Sequence, residues 1–113
     1  MPDMFQTLPT SVKIRWDHKN RELWVNDRFL SPRLSISIKN LSPNGFNVGG
    51  GGPGMAQAAL AILLEFLPKI ESVVYYQDFK WQVIATWPAK DFQIYLNLKE
   101  EMIKIVRKNS ILR

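Results

Sequence analysis

All six glycines of the chain fall between Gly45 and Gly54, directly before its most apolar stretch, Ala58 to Leu64. Free N–H groups at a glycine-rich helix start can cradle an anion such as phosphate. Gly49, Gly51, Gly52 and Gly54, with the amide of Gln57 one turn later, are therefore a candidate anion or nucleotide site. Gly49, Gly51 and Gly54 satisfy G-x-G-x-x-G as a string. The dinucleotide fingerprint also needs a parallel βαβ unit, and the strands expected before this loop are antiparallel. No Gly-Lys-Ser or Gly-Lys-Thr follows, so the phosphate-loop pattern fails. The competing reading is architectural: glycine permits a sharp strand-to-helix corner and close approach of the helix to its neighbours. The architectural reading is the expectation. It starts the helix at Met55 with Gly54, which has no side-chain oxygen, at the capping position. Loop carbonyls and the Gln57 amide then take the first helical N–H groups.

A second candidate is electrostatic. The net charge is +5, and Lys104, Arg107, Lys108 and Arg113 lie in a C-terminal segment with no acid. Such a segment can contact nucleic-acid phosphates. Trp16 and Trp24 are interleaved with Lys13, Arg15 and Arg21, and aromatic platforms beside cations are how sheets stack single-stranded bases. Against this, Trp16 alternates in phase with Val12 and Ile14, which turns it inward; the indoles are expected in the core. His18 is the sole histidine and sits in a polar turn, without the spacing of a metal site. No G-x-S-x-G surrounds a serine, and Glu100-Glu101 suit the first turn of a helix. No catalytic residue, metal site or cofactor is assigned.

These residues need elements to hold them. The chain of 113 residues has one domain's length, ordinary globular composition and no cysteine. Residues 1–11 read as a loose lead-in and 12–113 as a single α+β domain. Val12–Trp16 and Glu22–Val25 read as a hairpin, Arg28–Leu30 as a short third piece, and Leu34–Lys39, alternating leucine and isoleucine with serine, as another strand. Ser42–Gly45 is a turn. Ala56, Ala59, Leu60, Leu63, Leu64 and Leu67 make a helical stripe ended by Pro68. Glu71–Trp87 admits one helix or two strands; its apolar spacing favours the helix. Asp91–Asn97 suits a strand or an extended loop, and Leu98–Lys108 a helix with acids first and bases last. The architecture expected is a small antiparallel sheet in the N-terminal half, a Gly-rich turn, two packed helices and a C-terminal helix. The apolar run is too short to span a membrane, and the N-terminus lacks the pattern of a signal peptide; the expected location is the cytoplasm.

The segment GFNVGGGGPGMAQAALAILL resembles a family of small bacterial and phage proteins with the signature G-F-x-x-G-aromatic-G-G-S-G-P-A-Q-x-A-L-A-x-L-L. The matching positions are Gly45, Phe46, Gly49, Gly51, Gly52, Gly54, Ala56, Gln57, Ala59, Ala61, Leu63 and Leu64, and the likeness extends from Val25 to Pro88. Gly50 replaces the aromatic, Pro53 the serine and Met55 the proline, which weakens any serine-based site. The resemblance implies a fold, a helix in the Glu71–Trp87 region and a phage or mobile-element setting, but no mechanism. The function expected is that of a non-enzymatic accessory protein acting on a protein partner or on itself. The alternative is a nucleic-acid or nucleotide binder using the basic surface and the glycine loop.

Overall fold

The computed structural model describes residues 4–49 and 52–111. After a 3-10 turn at Met4–Thr7, the chain forms β1 (Val12–Asp17), β2 (Glu22–Val25) and β3 (Arg28–Leu30). The β2–β3 connection is two residues, Asn26 and Asp27, with φ of 51° and 66°. Two positive φ values in a two-residue loop match the twist of a hairpin, and short polar side chains tolerate them. Four helices and a fourth strand come next: α1 (Arg33–Ile38), α2 (Pro53–Leu64), α3 (Lys69–Gln82), β4 (Phe92–Leu96) and α4 (Leu98–Ile111). The sheet is antiparallel with order β3-β2-β1-β4. Asp91–Asn97 thus supplies a true strand, and the sheet is completed from the last quarter of the chain.

Period-two alternation divides the sheet into two faces. Val12, Ile14, Trp16, Leu23, Val25, Leu30 and Leu96 are buried on the inner face, against the helices. Every residue of α2 from Gly54 to Leu63 is buried, so the helix is covered on all sides and not along one stripe only, as a central helix must be. It packs against both α3 and α1. Burying a leucine or isoleucine contributes roughly 1.5–3 kcal/mol, which makes α2 the main anchor of the core. Gln82 of α3 donates to Glu101 Oε1 at 2.8 Å, and Asn109 donates to Asp78 at 3.1 Å, tying α4 to α3. Among the described residues no helix is long and apolar enough to cross a membrane.

Glu71–Trp87 forms no strand: its first part lies in α3, which ends at Gln82, a 3-10 turn covers Ile84–Thr86, and Trp87 is extended. Leu34–Lys39 is not a strand. It forms α1, in which Ser35 is buried and Leu34 is 57% exposed, the reverse of the alternation. Pro32 adopts helical angles at the N-cap (φ −74°, ψ −8°). The Ser35 and Ser37 hydroxyls donate to the carbonyls of Pro32 and Leu34, local bonds that compete with a sheet ladder.

Candidate functional site

The glycine loop is a packing corner in the part that is described; Gly51 lies outside the described residues. Gly49 has φ +69°, and a Cβ there would stand 3.0 Å from the Trp87 carbonyl oxygen. A Cβ on Gly54 would lie 2.7 Å from Asn47 Cβ and 2.9 Å from Asn47 N. Helix α2 starts two residues earlier than expected: Pro53 is its first residue and Gly52, extended and without a side-chain cap, is the N-cap. A proline therefore does stand in the first turn, where its missing N–H costs nothing. Met55 N–H donates to Gly52 O at 3.1 Å, one of the loop carbonyls expected to serve this end.

Gln57 does not serve it. This fully buried amide accepts from Leu41 N at 2.8 Å and Ser42 N at 2.9 Å, and donates to Ser35 Oγ at 2.9 Å and Lys39 O at 3.2 Å. It pins α1 and its exit loop to α2 and satisfies groups that would otherwise be buried without partners. A cleft of about 350 Å³ beside the corner is lined by Arg21, Asn44, Asn47, Gly52 and Gly54. Arg21 donates to Asn47 Oδ1, so this cation is engaged in holding the corner.

The basic C-terminal residues lie on α4 in the helical layer. Lys104 stands 3.8 Å from Glu100 and 3.9 Å from Glu101, one turn upstream. Arg107 and Lys108 are exposed but border different grooves, Arg107 with Lys99 and Thr10, Lys108 with Trp81 and Gln82. Arg113 lies outside the described residues. His18 is half-buried; its Nδ1 accepts from Trp16 Nε1 at 3.1 Å, and its backbone N–H donates to Asp91 at 2.8 Å. It therefore braces the end of the sheet.

The two tryptophans separate. Trp16 is in the core at 1% exposure. Trp24, opposite Arg15 on β1 and Phe29 on β3, is on the other face, where Arg15, Phe29, Gln93 and Tyr95 are all exposed. There Phe29, Trp24, Arg15 and Gln93 form one row across all four strands, with Lys13 and Tyr95 paired in the adjoining rows. The Arg15 guanidinium lies 4.4 Å from the centroid of the Trp24 ring. Phe29 meets Trp24 edge-to-face at 5.4 Å. Phe29 is 50% exposed and Tyr95 64%. The Trp24 indole N–H is covered but has no acceptor among the described residues.

Polar groups border this row. Lys13 bonds Asp27 at 2.8 Å, and that hydrogen bond, with the charge of Asp27, raises the lysine's pKa. Hydrogen bonds from the Asn20 side chain and backbone hold the Asp17 carboxyl below its usual range. An open cleft of about 370 Å³ between β1 and β4 is lined by Arg15, Asp17, Asp91 and Gln93. The face thus offers aromatic surfaces, a guanidinium and hydrogen-bonding side chains within a width of about 15 Å at normal strand spacing. Parity in the sequence carries part of this arrangement: Trp24 falls between Leu23 and Val25, and Tyr95 between Ile94 and Leu96. Reading the two indoles as one feature hides that signal, and Phe29 has none until the register of its short strand is known.

Residues 15–107 match one family model, described as a family of unknown function (DUF6166). No curated protein and no solved structure matches the chain.

Proposed function

The chain belongs to the DUF6166 family of unknown function, and we propose that it is a small non-enzymatic binding protein that holds single-stranded nucleic acid on the open face of its sheet. The observation that carries this reading is the row Phe29–Trp24–Arg15, aromatic side chains and a cation side by side on the exposed face. Bases stack on exposed aromatic rings whatever their identity, at about 1–3 kcal/mol per base. Phe29 and Tyr95 are the exposed stacking surfaces. Arg15, exposed on this face, meets phosphates. Asp17 and Gln93 face base edges from the adjoining cleft.

The test is a titration of fluorescent oligothymidylate and oligouridylate over a range of salt. Replacing both Phe29 and Tyr95 by alanine weakens binding at least about tenfold, since two stacking contacts are lost. Arg15→Gln reduces the salt slope by about 0.7, the single-strand value for one phosphate contact. Absence of binding by the wild type at low salt overturns the reading.

A second reading has its own observation. Ile70, Val74 and Trp81 are 74%, 57% and 58% exposed along one stripe of α3, and the Lys80 ammonium lies 4.2 Å from the centroid of the Trp81 ring. An apolar helix stripe of this kind suits a protein partner, as an accessory protein would require. Under it, Ile70→Ser with Trp81→Ser abolishes the partner complex and leaves oligonucleotide binding unchanged. In either reading the protein works in the cytoplasm, in the phage or mobile-element setting that the resemblance implies.

A further inference from the structure

The sheet has two edges, β3 and β4, and they differ in how they are guarded. Edge strands present unpaired N–H and C=O groups, and proteins blunt them with short length, charge or proline. The β3 edge has all three: three residues, Arg28 at its start, and Pro32 just beyond its end. The β4 edge has none. Its sequence, FQIYL, is uncharged, free of glycine and proline, and rich in residues that favour strands.

The register shows which groups β4 offers. Lys13 faces β2, because its carbonyl accepts from Asn26 N–H at 2.8 Å. Residues of an antiparallel strand alternate in the direction of their backbone groups, so Val12, Ile14 and Trp16 point to β4. Their partners there are Leu96, Ile94 and Phe92. The N–H and C=O of Gln93 and Tyr95 consequently point away from the sheet, and no other backbone bonds them among the described residues.

These groups are self-complementary. We propose that β4 pairs antiparallel with β4 of a second copy, on a two-fold axis at Ile94. Gln93 of each copy then exchanges both backbone hydrogen bonds with Tyr95 of the other, and Ile94 faces Ile94. The axis runs perpendicular to the sheet, so the two open faces lie on the same side and meet at the tyrosines. The sheet doubles from four strands, and the surface carrying Phe29, Trp24 and Arg15 becomes continuous across both copies. The inference rests on the edge alone and stands whether or not the open face binds nucleic acid.

The experiment is light scattering with size-exclusion chromatography, joined to hydrogen exchange read at single amides. Dilution from roughly 1 mM to roughly 10 µM spans the range of a small, transient interface. At the high end the mass is twice 13.1 kDa, and the amides of Gln93 and Tyr95 exchange at least about tenfold more slowly than at the low end. Gln93→Pro removes an outward donor without touching the β1–β4 ladder, a position where an edge strand accepts proline. Tyr95→Lys places a guarding charge on the same strand. Both variants keep the far-ultraviolet spectrum of the wild type and are monomeric throughout; if the proline variant does not fold, the lysine variant decides. A wild type that is monomeric at 1 mM overturns the proposal and leaves the edge to a strand from another protein. A dimer that persists in the folded variants places the interface elsewhere and overturns it equally.

Discussion

Two positions of the glycine corner, two residues apart, have opposite tolerances. A methyl group on Gly54 collides with the backbone N and Cβ of Asn47, and overpacking against main chain has no cheap relief. Gly54→Ala is expected to cost at least about 1 kcal/mol in a urea melt. Gly52 has nothing within 4 Å of its would-be Cβ and extended angles at an N-cap without a side-chain oxygen. Gly52→Ser is expected to stabilise by a few tenths of a kcal/mol; a loss of stability there contradicts this account of the corner. Gln57→Ala strips partners from four buried or half-buried groups between Ser35 and Ser42. It is expected to destabilise by about 2–4 kcal/mol, each unsatisfied group costing about 1–3 kcal/mol before relaxation or water offsets part of it. A melt within 0.5 kcal/mol of wild type, the usual range for surface changes, contradicts it. Clustered glycines before an apolar run made the corner legible from the sequence. The role of Gln57 was only half legible: a polar residue on an apolar helix announces a buried bond, but its partners lie 15 to 22 residues upstream, and local spacing does not point to them.

Elements with a clear period were readable, and α1 was not. In β1, β2 and α4 the apolar residues sit at the strand or helix repeat, and the structure keeps them there. In α1 the same alternation of apolar and serine residues appears, yet tertiary contact overrides it: Gln57 holds Ser35 inward while Leu34 faces solvent. A helix of six residues with one buried side chain has little to hold it apart from these bonds. Native-state hydrogen exchange is therefore expected to show the amides of Ile36 and Lys39 opening locally, well below the global unfolding free energy. Those of Leu60 to Leu63 exchange only with global unfolding. Equal protection of α1 and α2 contradicts this ranking. The fold class and the helix in the first part of Glu71–Trp87 needed only composition and spacing, whereas the strand order and the two free edges depend on which strands meet, and β4 joins β1 from some eighty residues away, a pairing no local pattern encodes.

At the scale of the whole molecule the helices cover one face of the sheet, and the other is exposed at Arg15, Phe29, Gln93 and Tyr95. The net charge of +5 permits a nucleic-acid partner but does not locate it. The fold separates three candidate surfaces: the glycine corner at the start of α2, the basic stretch of α4, and the open face with Phe29, Trp24, Arg15 and Tyr95. The Trp24 indole N–H, which lacks an acceptor among the described residues, is a reporter for the open face. The most direct measurement follows backbone amide and indole resonances while oligothymidylate is added at low salt. Shifts are expected at the Trp24 indole and at Arg15, Phe29, Gln93 and Tyr95, saturating together, with Gly52 to Ala56 unmoved. No shift at any concentration, or shifts confined to Lys104, Arg107 and Lys108 or to the glycine corner, contradicts this expectation.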